Sequence, residues 1–448
     1  MTLKFGTDGV RGLANEELTP ELVLGLGRAA ARVLGGPAFV VGRDTRVSGP
    51  LLQAALSAGL ASEGVAVLDL GVLPTPGVAF ASQRRGLPAA VISASHNPFP
   101  DNGVKLFAPG GRKLADDREE VLEAELTRVL GGGGGGQAPP TASAVGRLEN
   151  DAGVAADYVS HLVASLEGRS LDGMRVVVDC ANGAAYEVAP LALARLDAEV
   201  EVLGASPDGT NINDGCGSTH PEALQRAVVA SGADAGLALD GDADRVLAVD
   251  ETGGLVDGDR LLALCALDLR ARGRLRDDTV VATVMANLGF RQAMEAHGVS
   301  VHETAVGDRY VLEALEAGRW SLGGEQSGHL IFPDLAPTGD GTLTGLLLLD
   351  LVRRQGRSLH ELAAGAMTRL PQVLRNVRVA ARHPDVAELV RPLVEEVLAE
   401  LDGSGRVLVR PSGTEPVVRV MVEAPTEEQA DDAARRLAAE VERACAQA

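Results

Sequence analysis

Residues 235–249 have the sequence AGLALDGDADRVLAV, in which two apolar runs enclose a loop with three aspartates. A short apolar run that ends in a polar loop is typical of a buried strand. Similar runs alternate with segments of helical length through most of the chain. The predicted strands include Ala38–Val41, Val65–Leu70, Ala89–Ile92, Arg175–Val178, Ala235–Leu239 and Thr279–Ala282. The alternation predicts an α/β fold in which helices cover parallel sheets.

Ser48, Gly49 and Pro50 have the composition of a helix start. A serine side chain can accept hydrogen bonds from the first amides of a helix, and proline is tolerated in the first turn. We therefore expect Ser48 to cap a helix that ends near Gly64.

Three breaks divide the chain. The glycine run Gly131–Gly136 cannot hold a helix or a central strand, so it predicts a flexible loop late in the first domain. A turn at Asp250–Gly254 and a break near Thr368–Val373 give the other boundaries, and the last part groups its strands and helices as α+β folds do. The predicted domains are 1–150, 151–252, 253–367 and 368–448.

The composition excludes several classes of function. Among 448 residues, 41 basic and 62 acidic side chains give a net charge of 41 − 62 = −21, which argues against nucleic acid or an anionic membrane as a partner. Aromatic residues make up 2%, too few for base-stacking surfaces. Four scattered cysteines and the lack of a membrane-spanning apolar run predict a soluble, cytoplasmic protein with free thiols.

Two loops follow predicted strands and carry reactive groups. Ser95 lies in Ser93–Pro98, directly after a buried strand, where open α/β sheets place their ligands. Asp240, Asp242 and Asp244 alternate between two apolar strands, and such carboxylates repel one another unless a hard cation lies between them. An oxygen-only set favours Mg²⁺. Ordinary polar turns are the alternative for both loops.

Further candidates come from single residues and two other loops. Only three lysines occur in the chain, and one of them, Lys105, lies ten residues after Ser95; a lysine can move protons, whereas an arginine cannot. The glycine-rich segment Gly323–His329 contains Glu325, Ser327 and His329, which could present polar groups to a polyol. An ordinary hairpin loop would explain the glycines of this segment equally well. Arg410–Pro416 is rich in donors suited to a phosphate or is a plain turn.

In their order along the chain these motifs resemble the α-D-phosphohexomutase superfamily. The resemblance covers the whole chain and includes the blocks Phe5–Gly12, Ser93–Pro98, Val306–Tyr310 and Gly324–His329. Those blocks are most similar to the branch of the superfamily that acts on glucosamine phosphates. The resemblance implies four domains around a central cleft, three with a shared mixed-sheet α/β core and a C-terminal α+β domain that closes over the substrate.

The resemblance also implies roles for individual residues. Ser95 is expected to carry the phosphoryl group and, with the three aspartates, to hold one Mg²⁺ per chain. The catalytic candidates beside Ser95 are Arg11, Lys105 and His329. Substrate-binding candidates are Arg245, Glu325 and Ser327. The phosphate that does not react is expected to bind Arg410, Ser412, Gly413, Thr414 and Arg419.

The activity implied is interconversion of glucosamine 6-phosphate and glucosamine 1-phosphate through a 1,6-bisphosphate, on the route to UDP-N-acetylglucosamine and cell-wall precursors. A hexose 1,6-bisphosphate, a kinase or autophosphorylation could prime Ser95, and a homodimer is a further expectation. Three alternatives stay open: a mutase for glucose or mannose phosphates, a non-catalytic phosphosugar-binding protein, and a phosphatase. The phosphatase is disfavoured because the aspartates lack a DxDx[TV] signature.

Overall fold

The computed structural model describes residues 9–132, 138–381, 383, 385–411 and 416–447. The chain forms two compact units. The larger unit consists of Met1–Met285 and Val299–Ala364, and the smaller unit consists of Ala286–Gly298 and Gly365–Ala448. Among the described residues, no helix is long and apolar enough to cross a membrane.

The first sheet of the larger unit is mixed. Its strands are β1 (Val10–Leu13), β2 (Ala38–Arg43), β3 (Ala66–Val72), β4 (Ala89–Ile92), β5 (Asp101–Ala108), β6 (Arg112–Lys113) and β7 (Leu148–Asn150). They are ordered β1-β5-β4-β2-β3-β7, with β6 paired to β5. The strand β2 runs parallel to β3 and β4, whereas β5 runs antiparallel to β1 and β4. The accompanying helices are α1 (Pro20–Leu34), α2 (Gly49–Ser62), α3 (Thr75–Arg85) and α4 (Asp116–Leu130).

Packing in this part of the chain follows from its small and aliphatic residues. All four residues of β4 are buried, as expected for a strand covered on both faces. The helices α1 and α2 approach each other closely at Gly27 and Gly59. A Cβ atom at Gly27 would lie 2.3 Å from the Leu56 carbonyl oxygen, so only glycine allows this separation.

The second and third sheets also belong to the larger unit. The second has the order β12-β11-β10-β8-β9 and the third the order β14-β13-β15-β16. Their strands are β8 (Arg175–Asp179), β9 (Glu199–Leu203), β10 (Ala235–Leu239), β11 (Val246–Asp250), β12 (Leu255–Val256), β13 (Thr279–Thr283), β14 (Ser300–Thr304), β15 (Gly323–Gly324) and β16 (Leu330–Ile331). Helices in the same stretch are α5 (Val154–Ala164), α6 (Val188–Arg195), α7 (Glu222–Ser231), α8 (Gly258–Ala271), α9 (Leu288–Ala296), α10 (Asp308–Gly318), α11 (Gly341–Gln355) and α12 (Leu359–Ala366).

The smaller unit contains α9 and an antiparallel sheet in the order β17-β19-β18. Its remaining elements are β17 (Gln372–Arg378), α13 (Val386–Leu389), α14 (Arg391–Glu400), β18 (Arg406–Pro411), β19 (Val417–Glu423) and α15 (Glu427–Gln447). Valines on one face of the sheet pack against the apolar face of α15, which includes Leu437 and Val441. Glu423 is fully buried and accepts hydrogen bonds from Arg406 Nε at 3.1 Å and from the Leu288 amide at 2.9 Å.

The structure confirms the predicted α/β class and the six predicted strands, with boundaries within two residues of those expected. The helix after Ser48 is also confirmed, but the predicted cap is wrong. Ser48 has helical angles and makes no side-chain capping bond; its Oγ instead accepts a hydrogen bond from Asn102 Nδ2 at 2.9 Å. Of the glycine run, Gly131 and Gly132 follow the end of α4, and Gly133–Gly136 lie outside the described residues.

Candidate active site

Ser95 lies in the loop that follows β4 and is 1% exposed. Its φ of 53° places it in the left-handed region, which non-glycine residues occupy at a cost of about 1–2 kcal/mol. Its amide donates to Ser93 Oγ at 2.9 Å, and Ser93 Oγ donates to Asp44 Oδ2 at 2.6 Å. The start of the loop, Ser93–Ser95, is therefore buried and fixed by hydrogen bonds.

The aspartate triplet follows β10 and lies against this serine. Ser95 Oγ donates a hydrogen bond to Asp240 Oδ2 at 2.6 Å. One carboxylate oxygen from each of Asp240, Asp242 and Asp244 lies within 4.8 Å of the others, and all three residues are buried. The structure thus brings together residues that are about 145 positions apart in the sequence.

The buried carboxylates influence one another's ionisation. Burial raises the pKa of Asp240 above its usual range, and the charges of Asp244 and Asp242 reinforce the effect. Burial acts in the same direction on Asp244, but Lys105, His329 and Arg245 outweigh it and lower its pKa well below the usual range. The triplet therefore concentrates negative charge where a cation would relieve repulsion.

The donor set fits a hard divalent cation. Among the described residues, Asp242 Oδ1 and Asp244 Oδ1 are buried without a hydrogen-bond partner. The other oxygen of Asp242 accepts from Lys105 Nζ at 2.6 Å and from Thr75 Oγ1 at 2.5 Å. Carboxylate oxygens without a hydrogen bond, in a group made of aspartates alone, match the preference of Mg²⁺.

Basic residues surround the same point. Lys105, on β5, is 2% exposed, and its Nζ also lies 3.4 Å from Asp244 Oδ2. Arg245 Nε lies 3.6 Å from Asp244 Oδ1, and Arg245 Nη1 lies 3.3 Å from His96 Nδ1. Burial, Arg245 and Arg11 lower the pKa of His96, so this ring is neutral near pH 7. Arg11, on β1, lies opposite Gly103 of β5, the strand that carries Lys105.

The hairpin between β15 and β16 carries the predicted sugar-binding residues. Glu325 Oε1 accepts from the Gly307 amide at 3.1 Å, and Ser327 is exposed. The Val246 amide donates to the Gly328 carbonyl at 3.1 Å, which ties the hairpin to the strand directly after Arg245. Gly328 has a φ of 88°, and a Cβ there would clash with the Val246 carbonyl, so glycine is required.

His329 is buried beneath the aspartate triplet. Its Nδ1 lies 3.8 Å from Asp244 Oδ1 and its Nε2 lies 3.5 Å from Asp308 Oδ2. Burial alone would lower its pKa, but Asp244 and Asp308 reverse the direction and raise it. Asp308 also pairs with Lys113 at 2.5 Å.

The predicted phosphate-binding residues belong to the smaller unit. Arg410 on β18 lies directly opposite Arg419 on β19. Burial and the charge of Arg419 lower the pKa of Arg410, as expected for two like charges that an anion would stabilise. Ser412, Gly413 and Thr414 lie outside the described residues.

Sequence reasoning missed three residues that contact these loops. Arg46 is fully buried and donates to carbonyls of the Ser95 loop. Thr75 donates to Asp242, and Asn213 Nδ2 donates to the Ser95 carbonyl at 2.9 Å. For Arg46 a signal was present: Asp44–Arg46 follows β2, the parallel neighbour of β4, so both loops leave the same edge of the sheet.

Four family models match the chain, each described as a part of phosphoglucomutase/phosphomannomutase. They are alpha/beta/alpha domain I over residues 2–130, domain II over 156–254, domain III over 257–370 and the C-terminal domain over 372–440. A solved phosphoglucomutase/phosphomannomutase family protein from Burkholderia thailandensis is 27% identical, with a TM-score of 0.81 over 99% of this chain and 98% of that chain. The chain belongs to the phosphohexomutase superfamily, and its buried aspartate triplet is consistent with Mg²⁺ binding.

Relatives place the chain within that superfamily. The phosphoglucosamine mutase of Streptomyces avermitilis is 56% identical over 445 residues, which cover 97% of each chain. That of Kineococcus radiotolerans is 55% identical over 453 residues, which cover 98% of each chain. The chain is a member of the phosphoglucosamine mutase family.

Proposed function

We propose that this enzyme interconverts glucosamine 6-phosphate and glucosamine 1-phosphate, with Ser95 as the carrier of the phosphoryl group. The observation that carries the proposal is the contact between Ser95 Oγ and Asp240 Oδ2 at 2.6 Å, within a cluster of three buried carboxylates. A phosphoryl group on Ser95 would lie beside the carboxylates of Asp240, Asp242 and Asp244, which are suited to bind a divalent cation. The identity to the phosphoglucosamine mutases supports the amino sugar as substrate.

In the first step, phospho-Ser95 donates its phosphoryl group to O1 of glucosamine 6-phosphate. The bond between phosphorus and Ser95 Oγ breaks as a bond forms between phosphorus and O1, and the O1 proton passes to a base. Ser95 Oγ takes up a proton and returns to the hydroxyl that donates to Asp240. The product of this step is the 1,6-bisphosphate.

In the second step, the bisphosphate has turned so that its 6-phosphoryl group faces Ser95. The bond between phosphorus and O6 breaks as phosphorus bonds to Ser95 Oγ, and the Ser95 proton is transferred to O6 through a base. The products are glucosamine 1-phosphate and phospho-Ser95, so the enzyme returns to its starting state.

Phosphoryl transfer depends chiefly on positioning and on neutralisation of charge. Arg11, Lys105 and Arg245 supply positive charge around Ser95. Asp240, Asp242 and Asp244, with Ser95, would hold one Mg²⁺, which when bound would withdraw charge from the phosphoryl oxygens. A hexose 1,6-bisphosphate is the proposed primer for an enzyme that has lost its phosphate.

Lys105 and His329 are the proposed groups for proton transfer. Lys105 Nζ lies 2.6 Å from Asp242 in the same cluster as Ser95. His329 is buried against Asp244 and Asp308, so any effect that it has on the reacting atoms would pass through Asp244. A lysine has the additional advantage that its pKa responds strongly to nearby charge.

Glu325 and Ser327 are the proposed contacts for sugar hydroxyls. Arg410, Ser412, Gly413, Thr414 and Arg419 are the proposed anchor for the phosphate that is not reacting. The opposed arginines Arg410 and Arg419 support this role, since two like charges side by side favour an anion.

The deciding experiment combines intact mass with an assay. The intact mass of the purified enzyme is measured by mass spectrometry before and after phosphatase treatment. The reaction rates on the 6-phosphates of glucosamine, glucose and mannose are then compared. Loss of one phosphoryl mass and the highest kcat/KM on glucosamine 6-phosphate support the proposal. A preference for glucose or mannose phosphate would favour the sibling mutases, and an absence of both phosphate and activity would indicate a non-catalytic binding protein.

Several expectations from the sequence stay predictions. These are the four domain boundaries, a homodimer, priming by a kinase or by autophosphorylation at Ser95, and a cytoplasmic location.

A further inference from the structure

Arg46 forms an ion pair that is completely enclosed. Its side chain and that of Asp44 are each 0% exposed, and Arg46 Nε donates to Asp44 Oδ2 at 2.8 Å. The Arg46 amide also donates to Asp44 Oδ1 at 2.9 Å. A buried guanidinium is costly unless all of its donors are satisfied, so its other contacts indicate why it is retained.

The remaining donors of Arg46 point to the loop that contains Ser95 and to the start of β5. Nη1 donates to the Pro98 carbonyl at 2.5 Å and to the Asp101 carbonyl at 3.0 Å. Nη2 donates to the Ser95 carbonyl at 3.0 Å and to the Asn97 carbonyl at 2.8 Å. With Nε on Asp44, the five N–H groups of the guanidinium are used; three of them hold the loop that contains Ser95, and a fourth holds Asp101 at the start of β5.

Asn213 reaches the same loop from another part of the larger unit. Its Nδ2 donates to the Ser95 carbonyl at 2.9 Å and to the Asn97 carbonyl at 3.0 Å. The Ser95 carbonyl therefore accepts from two buried side chains. Gly241 packs against the same oxygen, where a Cβ atom would come within 2.5 Å of it.

Fixing this carbonyl fixes the direction of the Ser95 side chain. Ser95 has a φ of 53°, a conformation that costs about 1–2 kcal/mol and persists only where surrounding contacts impose it. If the Ser95 backbone shifted from this conformation, the contact between Ser95 Oγ and Asp240 Oδ2 would be lost. The charge and volume at Ser95 change during each turnover, because the residue alternates between serine and phosphoserine. Hydrogen bonds to the backbone carbonyl would keep the loop in one position in both forms.

We propose that Arg46, together with Asn213, is a positioning residue that holds the backbone of the phosphoserine loop in register with the aspartate triplet. This inference rests on the proposed function of Ser95 and adds two residues whose side chains donate to backbone carbonyls of the loop. The geometry requires the planar fork of arginine, because a lysine at position 46 could pair with Asp44 but could not reach four carbonyls.

The test compares Arg46→Lys with Arg169→Lys. Arg169, whose side chain is 30% exposed, makes a two-nitrogen pair with buried Asp350, so its replacement controls for the loss of a two-nitrogen arginine–carboxylate pair elsewhere in the larger unit. We expect Arg46→Lys to lower kcat by about 100-fold with KM changed less than about threefold, because small displacements of reacting groups have effects of that size. We also expect faster hydrogen exchange in residues 93–103. The Arg169→Lys variant should keep kcat near the wild-type value.

A second variant covers the case in which Arg46→Lys does not fold. Asn213→Asp keeps the shape of the side chain but replaces the donor to the Ser95 carbonyl with an acceptor, and it should lower kcat in the same way. The inference is overturned if a folded Arg46→Lys, or in its absence Asn213→Asp, has a wild-type kcat. Because the wild-type enzyme is assayed first, a failure of the proposed mutase activity would be seen independently of either variant.

Discussion

Lys105 Nζ lies 2.6 Å from Asp242 Oδ2, and both side chains are almost fully buried. A lysine and an aspartate in such contact stabilise each other, and removal of one leaves an uncompensated buried charge. The pair also places the ammonium beside the cluster that contains Ser95. Lys105 is therefore expected to affect both stability and chemistry.

Lys105→Met keeps most of the side-chain length and removes the charge. We expect kcat to fall by about 100-fold or more, because loss of one charge-stabilising group commonly has an effect of that size. The measurement is the coupled assay on glucosamine 6-phosphate. Lys113→Met is the comparison, since Lys113 pairs with Asp308 at 2.5 Å. Equal losses in both variants would contradict a specific role for Lys105.

Ser95→Ala should abolish turnover and the phosphatase-sensitive mass, because no hydroxyl remains to carry the phosphoryl group. The fold should be retained, since the change removes one hydroxyl and adds no volume. Ser165→Ala serves as the control, because its Oγ donates to the Leu162 carbonyl in the last turn of α5. Activity of Ser95→Ala near the wild-type rate would end the assignment of the phosphate carrier.

Mg²⁺ should raise the melting temperature of the protein. A ligand that binds only the folded state stabilises it by about 2.7 kcal/mol at 100 times its Kd. Chelation should reverse the shift and remove activity. Asp242→Asn should weaken the Mg²⁺-dependent shift, whereas Asp208→Asn, in an exposed turn, should leave it unchanged. Equal shifts in the two variants would show that the ion binds elsewhere.

Asp340 gives a pH dependence of the folding stability. Burial raises its pKa from 3.8 to about 6, and its carboxylate accepts from Tyr158 at 2.7 Å and caps α11 through the Leu343 amide. Between these values the folded state holds a proton that the unfolded state has lost. The contribution of Asp340 to stability therefore falls as pH rises from about 4 to about 6, by up to about 3 kcal/mol.

Asp340→Asn removes this titration. Relative to the wild type, the variant should be more destabilised at pH 4.5 than at pH 8 in urea unfolding.

Tyr158→Phe should lower the free energy of unfolding by about 1–3 kcal/mol, because the hydrogen bond to Asp340 is lost. Tyr310→Phe, a change of the same kind outside this contact, should lower it less. A pH-independent difference between Asp340→Asn and the wild type would contradict the raised pKa.

Arg410→Gln tests the proposed phosphate anchor. Loss of a charged donor to phosphate costs about 1.5–3 kcal/mol, so KM should rise by about 10–100-fold with a smaller change in kcat. Arg436→Gln is a suitable comparison, because Arg436 pairs with Glu396 and Glu400 on the surface of the same unit. An unchanged KM for Arg410→Gln would remove Arg410 from the anchor.

Much of the fold was predictable because buried strands have a simple pattern. The run Ala235–Leu239 is apolar at every position and is buried at every position. The loops at the ends of such strands were also predictable as sites, since Asp240 and Ser95 each follow one. The local sequence pattern was sufficient to predict these sites because each lies within a few residues of the end of an apolar strand.

The contacts between distant residues were not predictable in the same way. An arginine in a polar loop is expected to be solvated, yet Arg46 is buried. Its guanidinium donates hydrogen bonds to carbonyls 49–55 positions away in the sequence. Ser48 failed as a cap because Asn102, also distant in sequence, supplies the competing hydrogen bond. Sequence propensities describe the local conformation that a residue favours. The burial of Arg46 and the hydrogen bond of Ser48 depend instead on residues that are distant in the sequence.

The position of α9 has a consequence for engineering. The chain enters the smaller unit at Ala286, leaves it after Gly298 and returns at Gly365, so this unit is discontinuous in sequence. Asn287 exchanges two hydrogen bonds of 3.0 Å with the backbone of Leu370, and Glu423 accepts from the Leu288 amide. A fragment cut at residue 365 would lack these partners. Transplanting the C-terminal part between relatives therefore requires the segment 286–298 to move with it, and a chimera with a single junction is expected to be less stable than one with three.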